Sequence, residues 1–246
     1  MTDNLTRDAF LGGRVQLYQP RVGYRAGVDP VLLAASVAAT PGQSVLDLGC
    51  GVGAAILCLS ARVPGLSLTG VEVQEDYAML ARRNAGDRVE VITADISDLP
   101  LDLRQRQFDH VLTNPPYFNR AASRAAFDAG REAAHGESAP LAEWVRVAAK
   151  RLKPKGYAHI IHRAERLPEI LGAWPGGMGS IEVLPLSARA GRMAERVIVR
   201  ARKNGRGAFK LHAPLVLHLG ACHTRDAEDY CPQVKAVLRD GAALEF

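Results

Sequence analysis

The chain has 246 residues, of which 48% are hydrophobic and 23% charged, with a net charge of +5. That length fits one large α/β unit with appendages, or at most two small domains, and the apolar share supports a sizeable core. No run of about 18 apolar residues occurs, so no membrane-spanning helix is expected. The polar start, Met1-Thr2-Asp3-Asn4, predicts no signal peptide. Four cysteines (Cys50, Cys58, Cys222 and Cys231) without C-x-x-C spacing fit reduced thiols and a cytoplasmic location.

Taken in order, the segment Val15–Pro20 alternates and ends at proline, as an edge strand or half of a hairpin does. Asp29-Pro30 reads as a helix start, an N-cap followed by proline at the first position, with the helix over 31–38 ended by Pro41-Gly42. Strands are predicted near 44–48, 67–72, 88–93, 108–113, 156–162, 180–186 and 195–203, and helices near 53–62, 75–84, 140–152 and 164–173. This alternation predicts an α/β fold with a seven-stranded, mostly parallel sheet and helices on both faces. The connection 187–194 is too short for a helical crossover, so the last two strands form an antiparallel pair. Asn204-Gly205 signals a turn, 215–219 a further strand and 227–238 a final helix. No repeat or linker divides the chain. It reads as a single domain over 1–246, with a leading extension and helix (1–43), a core (44–203) and a C-terminal strand and helix (204–246).

The most informative stretch is Val45-Leu46-Asp47-Leu48-Gly49-Cys50-Gly51-Val52-Gly53. It is a buried strand, a glycine turn and a helix start, the place where α/β sheets take nucleotide-like ligands. A pyrophosphate favours bare N–H groups and a helix dipole. The acid at Asp47 followed by three alternating glycines suits instead the ammonium and sulfonium of S-adenosylmethionine. Glu72 ends the second strand, where its two oxygens can take both ribose hydroxyls. Asp95 ends the third, within reach of an adenine amine.

The fourth strand runs into Asn114-Pro115-Pro116-Tyr117. Two prolines remove two N–H donors and stiffen the chain. Free carbonyls and the Asn114 amide can then accept from a planar –NH2, and Tyr117 offers a face for a flat base. Holding the amine protons aims the nitrogen lone pair at a methyl donor, so orientation and electrostatics carry the reaction. Trp144 sits on an apolar helix face and reads as core. His218, Cys222, His223 and Cys231 match no familiar zinc spacing, so no metal is expected. Between 186 and 210 stand Arg189, Arg192, Arg196, Arg200, Arg202, Lys203, Arg206 and Lys210 against Glu195 alone; eight minus one gives +7, a pattern that suits a polyanionic partner.

The Asp47–Gly53 turn together with Asn114–Tyr117 resembles the class I, Rossmann-like amino-group methyltransferases. Gly23-Tyr24-Arg25-Ala26-Gly27-Val28-Asp29-Pro30-Val31-Leu32-Leu33-Ala34 is similar to the upstream segment of the bacterial tRNA(Val) adenine-amine methyltransferases, a small-domain methyltransferase family. The resemblance spans roughly 10–240. It implies S-adenosylmethionine as cofactor, held by Asp47, Gly49, Gly51 and Gly53 at the methionine part. Glu72 would hold the ribose and Asp95 the adenine, with the neighbouring Val73 and Ile96 completing the set. Arg25, Gly27 and Asp29 would lie under or beside the cofactor. Asn114, Pro115, Pro116 and Tyr117 would hold the target amine, with Asn114 also facing the cofactor. It implies an RNA substrate, a tRNA adenine, tracked by the Arg-rich segments 119–140 (Arg120, Arg124, Arg131, His135) and 186–210. The same motif serves guanine-amine and protein-glutamine methyltransferases. The latter usually carry a helical domain before the cofactor turn, whereas 44 residues precede Val45 here. A non-catalytic S-adenosylmethionine- or RNA-binding module is the remaining alternative.

Overall fold

Strand β3 (Ser44–Leu48) lies at the centre of the sheet, and Val45, Leu46 and Leu48 are wholly buried, as befits a strand covered on both faces. A computed structural model describes residues 4–117, 139–220, 222 and 228–246. Beside β3 stand β4 (Ser67–Glu72) and β5 (Glu90–Thr93) on one side, and β6 (Phe108–Thr113) and β7 (Leu152–Arg163) on the other, all parallel. Beyond β7, β9 (Ala194–Lys203) and β8 (Met178–Ser187) run antiparallel. The short β10 (Lys210–Leu211) and β11 (Leu215–Val216) lie along β8. Among the described residues the sheet order is thus β10-β8-β9-β7-β6-β3-β4-β5, with β11 also on β8.

Helices α1 (Asp29–Ser36), α2 (Ala54–Arg62), α3 (Glu75–Ala85), α4 (Leu101–Gln105), α5 (Leu141–Lys150) and α6 (Leu167–Ala173) follow in chain order. Alternate strand residues point to opposite faces. On one face Val45, Leu112, Ile161 and Ile198 pack with α1 and α2. On the other, Leu46, Leu48, Val71 and Val111 pack with Leu103 of α4 and Trp144 and Ala148 of α5. No helix among the described residues is long and apolar enough to cross a membrane.

Among the described residues the sheet holds nine strands rather than the expected seven, since the short β10 and β11 extend its edge; three further expectations need correction, and one open alternative is settled. Val15–Pro20 is half of a hairpin whose first strand, β1 (Leu5–Phe10), is mixed in pattern and gave no signal. Asp29 does not cap α1: Val28 occupies that position, and Asp29 lies inside the first turn with its side chain committed elsewhere. β7 starts at Leu152 rather than near 156. Residue 227, where the last helix was expected to begin, lies outside the described residues, and 228–231 are not helical; the helix starts at Pro232, since proline suits only a first turn, and runs as α7 (Pro232–Lys235) into a π turn over Ala236–Asp240.

The carboxyl ends of β3, β4, β5 and β6 share one edge. Chain connections diverge to the two sides of β3 here, which makes this edge the topological switch point.

Candidate functional site

The glycine turn after β3 forms the floor of the site. Gly49 has φ +70°, and a side chain there would meet the Trp144 ring at 2.8 Å, so indole and turn are packed as one piece. Gly53 has φ +87° and precedes α2, accepting the Leu57 amide at 3.0 Å. It is off the cavity wall, so its structural part is the turn itself. Glu72 fixes the turn from the next strand: Oε2 accepts from the Gly51 amide and Oε1 from the Gln74 amide, both at 2.9 Å. One lone pair of each oxygen is therefore taken, and each retains another for a ligand.

Asp47 is 2% exposed and its Oδ2 has no partner among the described residues. Burial, reinforced by the charge of Glu72, pushes its carboxyl well above the ordinary value against a backbone bond from Ile56. Burial also raises Glu72, against the amides of Gln74, Gly51 and Val73. Two buried carboxylates thus face the same space with no cation between them among the described residues, which makes it a seat for a positively charged ligand.

Strand β6 delivers the second wall. Thr113 Oγ1 donates to the Leu48 carbonyl at 2.8 Å, tying the end of β6 to the end of β3 just before the prolines. Pro116 presents its carbonyl to His162 Nε2 at 3.3 Å, and the His162 ring meets Tyr117 edge-on at 5.1 Å. Burial holds His162 down at about 4, so its imidazole is neutral and Nε2–H is the donor. The Tyr117 hydroxyl donates to Asp29 Oδ2 at 2.6 Å, and Arg196 Nε lies 3.1 Å from the same oxygen. Asn114 Nδ2 faces the Tyr24 hydroxyl at 3.5 Å, and the Tyr77 hydroxyl donates to the Tyr24 carbonyl at 3.1 Å. Asn114 Oδ1 is buried and unpartnered among the described residues.

These walls enclose a cavity of about 750 Å³. Arg25, Gly27, Asp29, Asp47, Gly49, Gly51, Glu72, Val73, Asp95, Ile96 and Asn114 to Tyr117 all line it, so every expected site residue except Gly53 comes together. Some are already engaged. Asp95 Oδ1 accepts from the Ser97 amide and hydroxyl, both at 2.8 Å. Arg25 turns to Asp8 of the hairpin at 2.7 Å. Four buried polar atoms on this wall lack partners among the described residues: Asp29 Oδ1, Asp47 Oδ2, Asn114 Oδ1 and Trp144 Nε1. Buried polar groups are normally satisfied, so three acceptors and a donor around one cavity mark a place for a ligand.

The structure adds Tyr24, Tyr77, Trp144, His162 and Arg196. Tyr24 lies in the upstream segment and Arg196 in the basic stretch, but only the fold brings them to the cavity or, for His162, behind it. The basic stretch is dispersed. Arg189 pairs with Asp229, Arg196 with Asp29, and Arg200 and Lys210 with Glu182. Arg120, Arg124, Arg131 and His135 lie outside the described residues. His218 stacks on Tyr230 and bonds Asp229 at 2.5 Å, and no metal-holding cluster occurs among the described residues.

Residues 25–171 match the methyltransferase small domain family. A tRNA1(Val) (adenine(37)-N6)-methyltransferase of Porphyromonas gingivalis is 33% identical over 175 residues, covering 66% of this chain and 68% of that one. A relative of the same name from Shewanella baltica is 29% identical over 199 residues, covering 77% and 82%. Among solved structures, a predicted O-methyltransferase from Agrobacterium tumefaciens superposes with a TM-score of 0.70 at 27% identity, over 88% of this chain and 98% of that one. A T. thermophilus 16S rRNA N2 methyltransferase in complex with AdoMet and guanosine shares the fold, with a TM-score of 0.54 at 21% identity over 81% of this chain and 50% of that one.

Proposed function

The chain belongs to the methyltransferase small domain family and is an S-adenosylmethionine-dependent methyltransferase, and from that premise we propose that it methylates the exocyclic amine of an adenine in tRNA. The observation that carries the amine is the unpartnered Asn114 Oδ1, an acceptor held at the cavity beside two prolines and an aromatic ring. An amide oxygen in that setting suits a nitrogen that still bears protons. The relatives named as tRNA adenine methyltransferases support the choice of substrate.

The donor set suits the cofactor. Asp47 Oδ2, bare and buried, would face the ammonium group, and the remaining lone pairs of Glu72 would take the ribose hydroxyls. Gly49, Gly51 and Asp29 line the same space, Val73 and Ile96 would flank the adenine ring, and Asp95 would accept from its amine. Gly27 leaves open space where a side chain would project, which a ligand can use. When bound, S-adenosylmethionine supplies an electrophilic methyl group on a sulfonium.

The chain's own residues do the rest. Asn114 Oδ1 and the Pro115 carbonyl accept the two amine protons and draw the lone pair out of the ring. His162 occupies the Pro116 carbonyl, so that oxygen does not compete. Tyr117, its hydroxyl fixed by Asp29, gives the base a rigid face. As the N–C bond forms, the methyl group's bond to sulfur would break with its electron pair left on the sulfur, positive charge would pass to the nitrogen, and the same two acceptors would stabilise it before one proton leaves to water.

The test is complementation. Small RNA from a strain lacking this gene regains N6-methyladenosine on expression of the wild-type chain and not of Asn114→Ala, whose turnover falls at least ~100-fold, as when one transition-state hydrogen bond is lost. Restored N2-methylguanosine would redirect the substrate, and methylated protein glutamine would replace RNA altogether.

A further inference from the structure

We propose that the edge of the sheet opposite the cavity carries a second contact for the RNA backbone, built from Arg146, Lys150, Lys155, Arg202, Lys203 and Arg206; it rests on the reading of the substrate as tRNA. The sequence places Arg202, Lys203 and Arg206 in the same basic stretch as Arg189 and Arg196, but the topology separates them. β9 runs antiparallel to β7, with Arg196 opposite Arg163 and Arg202 opposite Tyr157. Arg196 is at the cavity, and the seven strand positions from there to Lys203, at about 3.3 Å each, carry the chain to the far edge of the sheet.

At that far edge the cations come from several elements. Arg146 and Lys150 are exposed and one helical turn apart at the end of α5. With Lys203 they line a cleft of about 340 Å³ whose other walls are Ala149, Pro175 to Met178 and Asn204. Arg202 donates to the Lys155 carbonyl at 3.2 Å and lies 5.3 Å from the centre of the Tyr157 ring, and Arg206 is exposed in the turn after β9. Among these six, the described ion pairs include one acid, Glu143, 3.3 Å from Arg146; Asp109 nearby is held by Lys153 at 2.8 Å. Lys155 has φ +67°, a conformation that favours glycine, yet the position carries a cation.

Among the described residues, the arginines of the cavity edge are spent differently: Arg189, Arg196 and Arg25 all pair with acids, and Arg192 is exposed. The larger array of uncompensated positive charge among the described residues is thus remote from the chemistry. A phosphate backbone fits such an array, since its charges are regularly spaced and its binding needs no base contact. A stem-loop seated at the cavity would leave this edge untouched, whereas a whole tRNA extends beyond it.

The experiment compares wild type with Arg146→Gln/Lys150→Gln/Lys155→Gly/Arg206→Gln on full-length tRNA and on the stem-loop fragment containing the target adenine. Full-length KM rises about tenfold with kcat within about twofold, and the slope of log affinity against log salt falls by about 3, the loss of four phosphate contacts. Fragment kinetics and cofactor affinity stay the same. Lys155→Gly alone raises full-length KM about twofold while Tm holds or rises, because it removes charge and relieves the backbone together. An unchanged KM on full-length tRNA, or an equal loss on the fragment, overturns the second contact and leaves the substrate assignment standing. A wild type that methylates neither RNA overturns both.

Discussion

Asp47 illustrates how a single residue can be costly to the free protein and necessary to its ligand. Its carboxyl is buried without a cation partner among the described residues, and burial with the neighbouring Glu72 raises its affinity for a proton. A carboxyl whose folded pKa lies above its unfolded value binds more protons when folded, so its stabilising contribution is present at low pH and lost as pH rises through the folded pKa. Asp47→Asn is therefore expected to raise the Tm of the ligand-free protein at neutral pH, at about 2–4 °C per kcal/mol gained, with the gain vanishing toward pH 4. The same variant loses S-adenosylmethionine binding, and wild-type affinity weakens on acidification as Asp47 takes up its proton; calorimetry across pH reads both. Tyr24 acts differently. Its hydroxyl meets the amide nitrogen of Asn114 and leaves Oδ1 bare. Tyr24→Phe is expected to lower kcat about tenfold with cofactor affinity within about threefold. An equal loss in both would mean that Tyr24 serves the cofactor instead.

At the scale of the element, the glycine turn and the proline strand end were legible because each combines residue types that few local structures require. Asp47 with alternating glycines and Asn114 with two prolines name their own conformations, and the fold brings them to one cavity as their spacing implied. Elements with mixed patterns were not legible. β1 is partly exposed on both faces and is identified only by its pairing with Val15–Pro20. Asp29 followed by proline looked like a cap, but the competing partners Tyr117 and Arg196 are distant in sequence and took the carboxylate. Trp144 read correctly as core, yet the same indole braces the glycine turn, a contact that no periodicity encodes. That bracing is testable. Gly49→Ala places a methyl against the Trp144 ring in a left-handed backbone, and is expected to cost about 2 kcal/mol of stability. Chemical denaturation measures it, and Gly49→Ala/Trp144→Leu should recover part of the loss by relieving the overlap.

Taken as a whole, the molecule divides its basic charge and its acid sensitivity by position in the sheet. His110 bonds His159 at 3.2 Å and Gln43 at 3.1 Å within the sheet, and His162 backs the proline turn. Burial brings His110 and His162 down to about 4, and His159 well below its ordinary value. These bases take up protons more readily when unfolded, so their stabilising effect is present above about pH 6.5 and is lost as pH falls toward 4, at up to about 1.4 kcal/mol per unit for each. Thermal melts of wild type should therefore fall between pH 7 and pH 4.5, and should fall less steeply in a His110→Gln/His159→Leu variant.

The most direct measurement is transfer of a labelled methyl group from S-adenosylmethionine by the purified chain to total small RNA lacking the modification, followed by digestion to nucleosides. Label in N6-methyladenosine, absent with Asn114→Ala, is the predicted result. Label in a guanine amine, or in protein with the RNA unlabelled, would contradict it.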